Sequence, residues 1–340
     1  MNRLHLLLAI TALVLGGCGS EAEPAEETAE GGAGLPVYPW DTLPPESIYG
    51  ATPVENLRVT PVELHVLGIP PGWDGMRIAA ISDLQLDLWS GNREVAAAAI
   101  RRAVAEQPDV VVLLGDYLGN GTDPTALREL LRPLSGVSTF AVLGDRDVRS
   151  DSLAARIAAT LSEAGVRVLR NETAILEHGG DSAAVVGVDA ELLGESVGEQ
   201  AYVLGQLGSG TRVGFLISHN PVLGARADND RVPAVLAGGV FCGDVEVPGT
   251  PRLSWLNSEA IPSAVVEGAE RLYRIGQMVM FVTCGTGYGF IPVRFGAPPE
   301  VAIVTLRSVE AETAGEDARD AAVDTLLEQY ESSLEDTTSN

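Results

Sequence analysis

The sequence predicts a layered α/β or α+β fold, and three observations carry that reading. Short apolar runs of strand character alternate with segments whose apolar residues recur at helical spacing. Three strand-then-helix pairs follow one another: "RIAAIS" (77–82) before "NREVAAAAIRRAVAEQ", "DVVVLLG" (109–115) before "DPTALRELLRPL", and "TFAVLG" (139–144) before "SDSLAARIAATLSEAG". Further strand-like runs come later, at "AAVVGVD" (183–189), "RVGFLISH" (212–219), "VPAVLAGG" (232–239), "MVMFVTCG" (278–285) and "EVAIVTL" (300–306). At 340 residues and 46% hydrophobic, the chain has material for one large core or two small ones.

The ends differ in character from this middle. Residues 1–18, "MNRLHLLLAITALVLGGC", join one early base, Arg3, to an apolar stretch and small residues before Cys18, which predicts a secretory signal. "LGGC" resembles a bacterial lipobox, which implies cleavage before Cys18, a lipid on its thiol, and a place in the cell envelope facing the periplasm or exterior. The alternative is an ordinary signal peptide with an incidental cysteine. Residues 19–57 hold no base, five Glu between Glu21 and Glu30, and much Gly and Pro, a composition expected of a disordered tether. The predicted folded domain spans 58–308. Beyond it, residues 309–340 form an acidic tail in which Ala321, Leu326, Leu327, Tyr330 and Leu334 are spaced as on an amphipathic helix.

Charge excludes some functions. There is no lysine, so all 22 bases are arginine and a lysine-dependent Walker A loop is ruled out. A net charge of −25 with no basic stripe argues against nucleic acid as a partner.

Several predicted strands stop at a polar residue: Asp83, Asp116, the pair Asp145 and Asp147, and His219. In open α/β sheets the carboxyl ends of the strands line the ligand crevice, so these side chains can converge although they lie far apart in sequence. Convergent carboxylates with an imidazole suit a divalent metal. Taken singly, each Asp also reads as a helix cap or turn former.

The blocks "ISDLQLD", "LLGDYLG", "VLGDRD", "LISHNP" and "AGGVFCGDVEVPG" resemble, in order and spacing, the calcineurin-like metallophosphoesterases, whose motifs read D-x-H, G-D, G-N-H-D, a lone His and G-H-x-H. "CGTGYGFIPVRFGAPPEVAIVTL" is similar to the closing segment of a membrane-associated, lipid-pyrophosphatase-like branch. The resemblance implies a four-layer α/β/β/α sandwich with two mixed sheets. It also implies two metals bridged by the G-D aspartate that activate water for attack on phosphorus.

Carried over residue by residue, Asp83, Asp116 and His219 match metal ligands. Asp145 stands for an asparagine ligand, Gln85 for a histidine ligand, and Arg146 for the histidine that protonates the leaving group. Gly239 and Phe241 fall on the two histidines of the last motif. A shifted register would instead offer Asp244 and Glu246 as ligands. With His5 in the signal, only His65, His178 and His219 remain, too few for a two-metal site of this kind. The expectation is one divalent ion (Mn, Fe, Zn or Mg), held on the Asp116, Asp145 and His219 side, or none. Arg146 reads either as a phosphate-binding cation or as a counter-charge to the carboxylates.

Cys242 and Cys284 fall in loops that the resemblance places near the cleft mouth. They would pair in an oxidising envelope, remain unpaired small hydrophobes, or join His219 on a soft metal. Two functions stay open: a weak or single-metal phosphoesterase acting at the membrane surface on a phosphorylated small molecule or lipid head group, and a non-catalytic pseudoenzyme binding a ligand or protein partner.

Overall fold

The computed structural model describes residues 54–189, 205, 210–225, 227, 231–239, 265–266, 271–289, 294 and 297–309. The predicted signal, most of the tether, the tail helix, Cys18, Phe241, Cys242, Asp244 and Glu246 lie outside these residues.

In chain order the strands and helices are β1 (Arg58–Leu67), β2 (Arg77–Ile81), α1 (Ser90–Ala105), β3 (Val110–Leu113), α2 (Thr125–Leu131), β4 (Ser138–Ala141), α3 (Asp151–Glu163) and β5 (Arg167–Val168). There follow β6 (Glu172–His178), β7 (Asp181–Val188), β8 (Val213–Ser218), α4 (Pro221–Ala225), β9 (Ala234–Ala237), β10 (Val265–Val266), β11 (Leu272–Ile275), β12 (Met278–Val282) and β13 (Glu300–Val309). All eight apolar runs marked in the sequence contain a strand.

Two mixed sheets result, as expected. The first has the order β1-β13-β2-β3-β4-β5, the second β10-β11-β12-β9-β8-β7-β6. In the first, β2 through β5 run parallel while β13 is antiparallel to β2; in the second, β12, β9, β8 and β7 run parallel between antiparallel neighbours.

Strands buried on both faces need continuous apolar sequence, and β2 shows why. Its Ile78 and Ala80 point between the sheets, with Val110, Val112, Phe215, Ile217, Leu236 and Phe281. Its Ala79 and Ile81 point the other way, under Val95, Ala99, Ile100 and Ala103 of α1 and Ile157 and Leu161 of α3. Trp73 packs against Phe215 with ring centroids 5.9 Å apart, tying the segment before β2 to the second sheet. The far face of that sheet forms a third apolar cluster, including Val186, Leu216, Val235 and Met280, against which Val222 and Ala225 of α4 pack.

Helix α3 starts where Ser150 accepts a hydrogen bond from the Leu153 N–H, with Asp151 in its first turn to complement the helix dipole. Strands β1 and β6, which the apolar pattern did not mark, are sheet edges. β1 carries Pro61 and Glu63 on a mostly half-exposed strand, a composition tolerated where one side of the ladder needs no partner.

Candidate metal centre

The parallel strands β2 and β3 end side by side, and the loops that follow them are cross-linked through the backbone. The Asp83 N–H donates to the Gly115 carbonyl (2.9 Å), Gln85 N–H to Asp116 O (3.0 Å), and Leu86 N–H to Tyr117 O (3.0 Å). Asp83, Gln85 and Asp116 all adopt left-handed backbone, with φ of 57°, 48° and 57°. Non-glycine residues in that region are strained by about 1–3 kcal/mol each and persist only where surrounding contacts hold them. Here those contacts turn two carboxylates toward the end of the neighbouring sheet.

From that sheet comes His219, directly after β8. Its Nδ1–H donates to Leu114 O (2.7 Å), which turns Nε2 toward Asp116 Oδ1, 3.6 Å away. Asp83, Asp116 and His219 are all buried, and one ligand atom from each lies within 4.8 Å of the others. Burial by itself would lower the His219 pKa. The carboxylates of Asp116, Asp83 and Asp145 outweigh it and raise the value to about 9. Burial likewise holds the Asp83 carboxyl above the usual carboxylate range.

Asp83 Oδ2 accepts from Ser82 Oγ (2.6 Å) and from the Gly239 N–H (3.1 Å), while its Oδ1 is buried with no protein partner. Gln85 Nε2 donates to Asp116 Oδ2 (2.8 Å), leaving its own Oε1 buried and unpaired. Two orphaned oxygens beside a carboxylate–imidazole cluster are what a cation site leaves when only protein atoms are counted. A mixed oxygen and nitrogen donor set suits Mn, Fe or Zn. The residues present therefore fit one ion.

The remaining sequence-predicted positions take other roles. Of the four expected ligands, Asp83, Asp116 and His219 are gathered; Asp145 is exposed and stands outside that group, although its carboxylate acts on His219. Arg146 donates its backbone N–H to Asp116 Oδ1 (2.9 Å), and its guanidinium Nε lies 3.6 Å from Asp116 Oδ2. Gly239 offers no side chain and has φ of 74°; a Cβ there would sit 2.9 Å from His219 Nε2. Its contribution is the backbone N–H bonded to Asp83. Cys284 belongs to a disulfide, so neither an unpaired Cys284 nor a Cys284 thiolate beside His219 on a soft metal stands.

Three contributors escaped the sequence reading of the site. Ser82 orients Asp83. Asp147, noted only as a strand-end residue, is fully buried and accepts the N–H groups of Asp116 (2.7 Å), Gly144 (2.9 Å) and Tyr117 (3.0 Å), so it shapes the loop that carries Asp116. Burial, reinforced by Asp116, pushes its pKa up to about 7. Asn92 bonds the Gln85 carbonyl (2.9 Å). A polar residue near the start of an otherwise alanine-rich helix was the available signal.

Residues 76–239 match the family model for calcineurin-like phosphoesterase. The chain carries a calcineurin-like metallophosphoesterase domain. Among its relatives, the metallophosphoesterase YkuE of Bacillus subtilis (strain 168) is 25% identical over 245 residues, covering 71% of this chain and 82% of that protein. A transmembrane protein with metallophosphoesterase domain from Bos taurus is 25% identical over 268 residues, covering 74% of this chain and 57% of the relative. Its counterpart in Danio rerio is also 25% identical, over 77% of this chain and 60% of that protein. A solved structure, TT1561 of Thermus thermophilus, aligns with a TM-score of 0.41 and 14% identity over 62% of this chain and 90% of that one. Among the described residues of this chain, no helix is long and apolar enough to cross a membrane.

Proposed function

We propose that this metallophosphoesterase binds a single divalent ion between Asp83, Asp116 and His219 and hydrolyses phosphate esters slowly. The observation that carries the reading is the buried triad, with ligand atoms within 4.8 Å and Asp83 Oδ1 without a protein partner. A bound ion at such a site supplies Lewis acidity toward a phosphoryl oxygen. The chain's own groups do the rest. Asp116 is held from two sides by the Gln85 amide and the Arg146 N–H, and His219 presents Nε2 because Leu114 fixes its tautomer. The Arg146 side chain, 30% exposed beside the triad, offers a phosphate oxygen a fixed cation. It cannot serve as a proton donor at neutral pH, which limits the rate.

A second reading, a non-catalytic member that binds a phosphorylated ligand or a protein partner, is favoured by one contact set. Both oxygens of Asp116 already have protein donors, so Gln85, Arg146 and protonated His219 can balance the carboxylates without an ion. Metal analysis of protein expressed with Mn, Fe and Zn, together with turnover of bis-p-nitrophenyl phosphate, separates the two. Bound metal and metal-dependent turnover support the hydrolase; neither metal nor turnover sinks it.

The proposal extends to location: a lipid on Cys18 tethers the domain, 58–308, to a bacterial envelope membrane through residues 19–57, so that substrates are phosphorylated small molecules or lipid head groups. Support comes from the apolar stretch before Cys18 and from relatives that are themselves transmembrane proteins. Mass spectrometry of the mature amino terminus tests it, and an unmodified terminus counts against the anchor.

A further inference from the structure

One wall of the metal centre comes from outside the segment that matches the family, residues 76–239. The loop after β12 lies against the Asp83 turn: the Thr286 N–H donates to Ser82 O (2.8 Å) and the Gly287 N–H to Asp83 O (2.7 Å). A Cβ on Gly287 would sit 2.5 Å from Asp83 O and 2.7 Å from Leu84 O, so this approach requires glycine.

Asn92, fully buried near the start of α1, closes the arrangement from the other side. Its Nδ2 donates to the carbonyls of Gln85 (2.9 Å) and Tyr288 (3.0 Å), and its Oδ1 accepts the Tyr288 N–H (2.9 Å). Both amide protons and the amide oxygen are thus spent on joining the Gln85 turn to the loop. The loop itself is anchored at its far side, where Glu300 Oε1 accepts from the Cys284 N–H (2.8 Å), Thr283 Oγ1 (2.8 Å) and Arg271 (2.5 Å).

We infer that Asn92 is a positioning residue: it locks the left-handed Asp83–Gln85 turn onto the Gly285–Tyr288 loop and thereby aims the Asp83 carboxylate at Asp116 and His219. Its consequence for metal binding rests on the single-ion reading above; its consequence for the turn does not. Strained left-handed residues hold only where the surroundings over-determine them. Asn92 is the side chain that grips the Gln85 carbonyl, while the Gln85 side chain grips Asp116, so the constraint passes from helix to turn to ligand.

The test compares the full-length protein with Asn92→Ala and Asn92→Asp, the latter keeping the acceptor for Tyr288 but losing both donors. Backbone NMR shifts of Asp83 and Gln85 in metal-free protein report the turn, and calorimetry reports Mn2+ affinity. Both variants are expected to lose the left-handed signature at Gln85 and to weaken Mn2+ binding by about 10- to 100-fold, with cooperative unfolding retained. A folded Asn92→Ala with unchanged Gln85 shifts and unchanged Mn2+ affinity overturns the inference. Should Asn92→Ala not fold, Gly287→Ala pushes on the same turn from the loop side, and the same two readouts decide. If the wild-type protein takes up no Mn2+, the single-ion reading falls, and the Gln85 shifts alone decide the positioning role.

Discussion

The two sheets meet at one site but equip it differently. The first sheet supplies Asp83, Gln85 and Asp116 on strained turns that are cross-linked to each other, gripped by Asp147 and backed by the loop after β12. The second sheet supplies one imidazole, His219, and a bare backbone N–H at Gly239. The first half is a set of ligands with a scaffold built to aim them. The second half meets the same carboxylates mainly with donors. This asymmetry is the ground on which a single ion, rather than two, is proposed.

Replacing Asp116, the residue that both halves share, should break the site altogether. Asp116→Ala is expected to reduce Mn2+ affinity and metal-dependent phosphodiester turnover by more than about 100-fold, measured by calorimetry and steady-state kinetics; retained metal binding would mean the ion lies elsewhere. Glu300→Gln tests the support behind the first half. Removing the carboxylate charge that faces buried Arg271 should cost about 3–5 kcal/mol in denaturant unfolding. Burial alone would raise the Glu300 pKa, but Arg271, the Cys284 N–H and Thr283 outweigh it and lower the value. The stabilisation is therefore present above the ordinary glutamate range and lost as pH falls through the lowered value. Wild type should lose stability on acidification more steeply than Glu300→Gln does.

Two substitutions sharpen the comparison on the weaker side. Gly239→His restores a ligand type that the family motif would place there. With φ of 74° and a Cβ only 2.9 Å from His219 Nε2, it should destabilise by about 1–3 kcal/mol without tightening metal binding. Tighter binding would show that the second half lacks only a side chain. The smallest effect is expected for Arg146→Ala. Removing a partly exposed cation 3.6 Å from Asp116 should raise Mn2+ affinity less than about fivefold, read by the same titration.

Much of this was legible in the sequence because buried parallel strands require unbroken apolar runs, and their polar ends mark where a site can form. The edges were less legible. β6 alternates exposed Glu172, Ile175 and Glu177 with buried Ala174 and Leu176, a pattern weaker than the runs at the sheet centres. Within the site, the seating of Asp83 depends on residues about two hundred positions further on. Gly285 and Gly287 press against the Asp83 turn, and no local pattern near "ISDLQLD" announces them. Asp147 was visible as a strand-end carboxylate, but its task of collecting three backbone N–H groups appears only when the chain is folded.

The last described strand, β13, lies between β1 and β2, pairing Arg58 with Glu300 and Ala80 with Ala302. The first sheet is therefore split until β13 is in place, and β2 has no neighbour on one side before then. Contacts this distant in sequence are slow to form. The sheet that carries Asp83 and Asp116 is thus completed by the last of the described strands, so that half of the site gains its full backing only through a contact between distant parts of the chain.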